Sequence, residues 1–182
     1  MLSLILLLVL SWSFYIGYSR GLIVQAFHSL SAVLALVIAA SQHKGLAKLY
    51  AQWVPFANAT EGAKNYFFAS KYLYDLDQVF YAGLAFLSIY FLAYVLLRII
   101  GILVHLTDGL LPEKAHFRII AGSLSFLVTL VSLQIVLTIA ATVPLANIQQ
   151  PLRQSWVANF IINGLPLLSE NLKNLLVSTI QG

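Results

Sequence analysis

The chain of 182 residues is 60% apolar and only 9% charged, with ten basic and six acidic side chains and a net charge of +4. Soluble domains carry about 25% charged residues, so an ordinary soluble globular domain is excluded, and the small, scattered charge leaves no nucleic-acid footprint. With no cysteine, disulfide frameworks, thiol nucleophiles, iron–sulfur clusters and zinc–thiolate centres are excluded too.

A bilayer core of about 30 Å needs roughly 20 mostly apolar residues in a helix, and four stretches satisfy that. Residues 2–19 form the first. They lack a basic n-region and carry no charge before Arg20, so they read as a retained helix rather than a cleaved signal peptide. Residues 22–40 form the second, separated from the first only by Arg20-Gly21, which predicts a tight helical hairpin. Ser13, Gly17 and Gly21 are four apart, as are Ser31, Ala35 and Ala39. Such small-residue strips let helix backbones approach closely, so Gly17, Arg20 and Gly21 are assigned to the hairpin turn and its packing. Gln25 and His28 share a face near the start of the second span, beside Ser29 and Ser31. Polar groups inside a span are expensive. This pair serves either as interhelical hydrogen-bonding glue or as the lining of a proton or solute path.

Residues 41–78 read as an interfacial segment. Leu46, Leu49, Tyr50, Trp53 and Val54 recur at helical spacing opposite Lys44, Lys48 and Gln52, the pattern of a helix lying in the headgroup layer. Pro55 ends it, and Tyr66, Phe67, Phe68 and Tyr72 supply an aromatic belt. Asn58-Ala59-Thr60 also fits a glycosylation acceptor, a three-residue pattern common by chance. The third span is 79–97, bounded by Asp77 and Arg98, and the fourth is 119–143. Between them His105, Asp108, Glu113, Lys114, His116 and Arg118 gather in a turn. Gly109 and Pro112 break the helical offsets that a metal site would need, so a solvated turn is expected, with no metal or cofactor.

The tail, 146–182, shows two amphipathic stretches. After Pro151, Leu152, Trp156, Val157, Phe160 and Ile161 share a face. After Pro166, Leu168, Leu172, Leu175 and Leu176 do the same. Each is too short to span, so both are expected on the membrane surface or docked on the bundle. The fold class is therefore all-α: a polytopic membrane protein with four transmembrane helices and amphipathic interfacial helices. The lipid bilayer is its first partner. Arg20, Arg98, Lys114 and Arg118 cluster close to the spans in the short turns, a bias that leans those turns towards the cytoplasm.

Enzyme templates are missing: no His-Glu-x-x-His, no Gly-x-Ser-x-Gly, no Walker-type lysine loop, and no acid inside a span. No catalytic residue is assigned. The stretch Gly17-Tyr18-Ser19-Arg20-Gly21-Leu22, with a polar residue soon after at Gln25, resembles the CvpA (colicin V production protein) family. That family also has a basic residue followed by small residues four apart before its last span, matched here by Arg118, Ala121 and Ser125. It more often has glycines at the two small positions and an acid or amide before the basic residue, where this chain has Phe117. The resemblance covers residues 1–145, and the aromatic 41–78 segment looks like that of lactobacilli-type members. It implies a bacterial cell-membrane protein, non-enzymatic, that assists toxin (bacteriocin) biosynthesis or secretion or maintains the envelope. Secretion or envelope proteins are the implied partners. A small oligomeric channel or transporter with Gln25 and His28 in a polar path is the alternative, and a homo-oligomer stays open.

Overall fold

The computed structural model describes residues 1–57, 65–101, 114–165 and 168–179. Among these the chain is helical, with no strand. The spans are α1 (Leu2–Arg20), α2 (Leu22–Trp53), α3 (Leu76–Ile100) and α4 (Ala115–Thr142), each long and apolar enough to cross a membrane. Three short helices follow: α5 (Ala146–Gln154), α6 (Trp156–Asn159), which widens into a π-helical turn over Phe160–Gly164, and α7 (Leu168–Val177).

The bundle is built from two pairs. α2 lies along α3 and α1 lies along α4, while α2–α4 and α3–α4 contacts join the pairs. α1 and α2 touch over a short stretch only. This corrects the expected tight hairpin: the first two helices diverge from their shared turn and take partners later in the chain. The innermost positions are small, with Ala35, Ala39, Ala82, Ala85, Ala121 and Ala141 fully buried. Lipid tails are as apolar as leucine, so close backbone packing rather than apolar burial drives helices together in a membrane. The larger residues accordingly face outward: Leu8, Leu30, Val37, Phe91 and Leu96 are exposed.

Residues 41–53 do not form a separate interfacial helix. They continue α2 without a break, because nothing between Ala40 and Trp53 stops a helix until Pro55. At 1.5 Å per residue α2 is about 48 Å long, well beyond a 30 Å core. Its last turns stand clear of the hydrocarbon, with Leu46 and Tyr50 packed on the core and Leu49 and Trp53 exposed. The Tyr50 hydroxyl reaches Ser88 at 2.9 Å and Tyr81 donates to the Val54 carbonyl at 2.8 Å, which ties this projection to α3.

The tail docks on the bundle rather than lying free. Pro151 falls inside α5 rather than ahead of a helix, and the chain turns at Ser155, whose hydroxyl caps α6 by accepting from the Ala158 amide at 3.1 Å. The same hydroxyl lies 2.8 Å from that of Ser3 at the start of α1. That turn splits the face expected to be continuous. Leu152, Val157 and Ile161 are buried, but Trp156 and Phe160 are 68% and 53% exposed. α7 lies against α3 and α4, burying Leu176 against Gly83 and Ile139.

Candidate functional site

The polar groups predicted in the second span sit together at the end of the bundle that carries the α1–α2 turn. The turn is a single residue, Gly21, at φ 83° and ψ 164°. That region of backbone space is essentially reserved for glycine. It sends α2 off directly, so Arg20 at the tip of α1 extends alongside the first turns of α2. Its guanidinium lies 3.4 Å from His28 Nδ1. Since Arg can only donate, Nδ1 accepts and the proton of a neutral imidazole lies on Nε2. Gln25 and His28 are both buried, at 2% and 3% exposure. The Gln25 amide donates to the Ser29 hydroxyl at 3.5 Å, and Ser29 donates to the Gln25 carbonyl at 2.9 Å. Gln25 Oε1 is buried without a partner. Arg98 on α3 is near enough for its charge to act on Arg20.

The two groups assigned separately from the sequence meet here. A Cβ on Gly17 would stand 2.6 Å from the Ala121 carbonyl oxygen and 3.1 Å from Gly122 Cα, and would overlap the Ser125 side chain. Ala121 and Ser125 are both buried. One turn away Arg118 lies over the Tyr18 ring at 6.0 Å. Gly17 is therefore spaced for α4, and the strip Ala121–Ser125 is its counterpart.

A second polar centre, at the opposite end, escaped the sequence reading. Gln149 of α5 donates to the Ala141 and Val143 carbonyls at 2.9 and 2.8 Å, and Asn65 donates to Ala141 at 2.7 Å. The last carbonyls of a helix have no intrahelical donor, and these side chains supply one to α4. The Asn65 oxygen in turn accepts from the Phe67 and Phe68 amides at 2.9 and 3.0 Å. Lys173 of α7 donates to the Phe67 carbonyl at 3.2 Å and to Asn163. Its burial holds its ammonium below the ordinary lysine value of 10.5. Deeper in, Gln134 donates to Ser169 at 3.1 Å, fixing α7 to α4. His43, 1% exposed, reaches the Ala39 and Ala40 carbonyls at 3.2 and 3.0 Å. The available signal was a glutamine standing in an apolar run, as at Gln134; His43 and Gln149 have polar neighbours, Gln42 and Lys44 in one case and Gln150 in the other, and gave no such signal.

Among the described residues no three His, Asp or Glu side chains converge as metal ligands would. His105, Asp108, Glu113 and the Asn58-Ala59-Thr60 acceptor lie outside the described residues.

Comparison with known proteins identifies the family. The family model described as colicin V production protein matches residues 2–166. The chain is 30% identical over 175 residues to the uncharacterized transmembrane protein YshB of Bacillus subtilis (strain 168), an alignment covering 96% of this chain and 97% of that protein. No solved structure matches. A match through all four spans and most of the tail places the chain in the colicin V production protein family.

Proposed function

We propose that the protein is a membrane accessory factor that assists the biosynthesis or secretion of a peptide toxin, or maintenance of the envelope, through contacts with other membrane proteins rather than by catalysis. In this reading it lies in the bacterial cell membrane with its short turns at the cytoplasmic face. The observation that supports contact over conduction is the exposed pair Trp156 and Phe160, held outward on a tail whose other face is locked into the bundle. Large aromatic side chains on a rigid support are the residues that dominate protein interfaces.

Photo-crosslinking in native membranes tests this, with probes at Trp156 and Phe160 and a buried control at His28. The expected result is an adduct at 156 or 160 to a secretion or envelope component, identified by mass spectrometry, and none at 28. Adducts forming only a ladder of this chain with itself overturn the reading. A channel is the second reading, and the unpartnered Gln25 Oε1 is what favours it. Replacing Gln25 and His28 together by Leu abolishes flux in reconstituted vesicles if they line a path. An accessory factor keeps most of its activity.

A further inference from the structure

Two crevices between α2 and α4 run into one another at membrane depth. One, of about 220 Å³, has Ser29, Val33 and Leu124 at its upper end. The other, of about 280 Å³, passes Phe86 and Ile135. Leu36 and Val131 line both, and Tyr90 backs the first. Together they follow α2 from Ser29 to Ala40, about 16 Å at 1.5 Å per residue, close to the hydrocarbon depth of one leaflet in a core of about 30 Å.

The two ends of this groove differ. Leu168, Leu172 and Leu175 of α7 line the far end, in a helix with Glu170 in its first turn. The near end lies beneath the α1–α2 turn. There Arg20 reaches His28, the neighbour of Ser29, and on α3 groove-lining Tyr90 is stacked on Tyr94 at 6.0 Å, with Arg98 one turn further on the same face. Arg98 acts on Arg20 as a like charge. Two guanidinium groups, at the last turns of α1 and α3, thus stand at the near end of an apolar slot and suit an anion there. No carboxylate stands at this end among the described residues. With Asp108 and Glu113 of segment 102–113 counted, Arg20, Arg98, Lys114 and Arg118 still leave it positive.

We propose that the groove binds one anionic phospholipid, with an acyl chain between α2 and α4 and its phosphate at Arg20 and Arg98. A lipid chain fits better than a helix of a second copy. A helix with its side chains is about 10–12 Å across, and over this length it displaces more than twice the volume of the two crevices. The site does not depend on a role in toxin production.

The full chain, purified in mild detergent, is mixed with phosphatidylglycerol and phosphatidylcholine of identical acyl chains, and retained lipid is counted by native mass spectrometry. The expected result is one phosphatidylglycerol per chain, retained at least tenfold over phosphatidylcholine. Arg20→Gln should bring that preference to within twofold. Val131→Trp, which fills the groove, should reduce retention of both lipids. Equal retention by the parent protein, or an unchanged preference in Arg20→Gln, overturns the proposal. So does a dimer that Val131→Trp dissolves, because it makes a second copy the occupant. Should Val131→Trp not fold, phosphatidylglycerol with a diazirine in its acyl chain settles the point on the unaltered chain. Adducts at Leu36 or Val131 support the groove, and adducts confined to the outer surface overturn it.

Discussion

Three glycines of this chain stand in different settings, and substitution separates them. At Gly17 the missing Cβ is what lets α1 approach α4, since the atom would meet the Ala121 carbonyl oxygen and Gly122 Cα, which are backbone and cannot step aside. Gly17→Leu should therefore cost about 1–3 kcal/mol or more through overpacking, read as a lower melting temperature in detergent and a lower membrane level. Gly21 is governed by its backbone, at φ 83°. Even Gly21→Ala should be destabilising by about 1–3 kcal/mol, without any bulk to blame. Gly45 has open space around it inside α2. Gly45→Ala should stabilise by up to about 1 kcal/mol, the helix-propensity difference. If Gly17→Leu melts with the parent, the α1–α4 contact is wrongly described. The sequence marked Gly17 and Gly21 through their spacing, and assigned both to the hairpin turn and its packing without naming the helix that Gly17 meets. Spacing identifies a surface built for close approach and is silent on which helix approaches it.

Among elements, hydropathy was legible because the bilayer imposes it. Each span had to be long and uncharged whatever it packed against, so the four spans fell where the uncharged runs were. The continuation of α2 to Trp53 was hidden because Lys44 and Lys48 look like an exit from the membrane, and they are one; the helix simply does not end there. The tail was legible as amphipathic, yet its face was misdrawn at Ser155, where a local cap redirects the chain. α7 carries a test of its own. Lys173 is half-buried with its ammonium pushed below 10.5, so the unfolded chain binds this proton more tightly than the docked tail does. Between the depressed value and 10.5, docking should strengthen as pH rises, because the charged form is the one that burial penalises. Hydrogen exchange over residues 168–177 should slow across that window relative to Lys173→Gln, after correction for the intrinsic rate. Equal pH slopes in the two proteins would remove Lys173 as the cause.

On the scale of the whole molecule, the four spans bring the N-terminus, residues 65–75 and the tail helices to one end, and the α1–α2 turn with the end of α3 and the start of α4 to the other. The absence of native cysteine makes this easy to probe with single replacements at exposed positions. With short turns cytoplasmic, Lys48→Cys and Tyr74→Cys should react with an impermeant maleimide in intact cells, and His116→Cys only after the membrane is opened. The reverse pattern inverts the protein. Neither the helix pairing nor the groove between α2 and α4 could be read from the chain, because both depend on which lipid-compatible surfaces meet, and all such surfaces are built from the same leucines, valines and alanines.

The pairing of α1 with α4 also sets a schedule. α1 leaves the ribosome first, but its partner begins only at Ala115, and at about 5–20 residues per second the wait from Arg20 is roughly 5–20 s. Throughout that interval the face of α1 carrying Ser13 and Gly17 stands in the bilayer uncovered. A nascent chain stopped before the last span leaves that face open to any small-residue helix nearby, and gives the cell a way to tell an unfinished copy from a complete one.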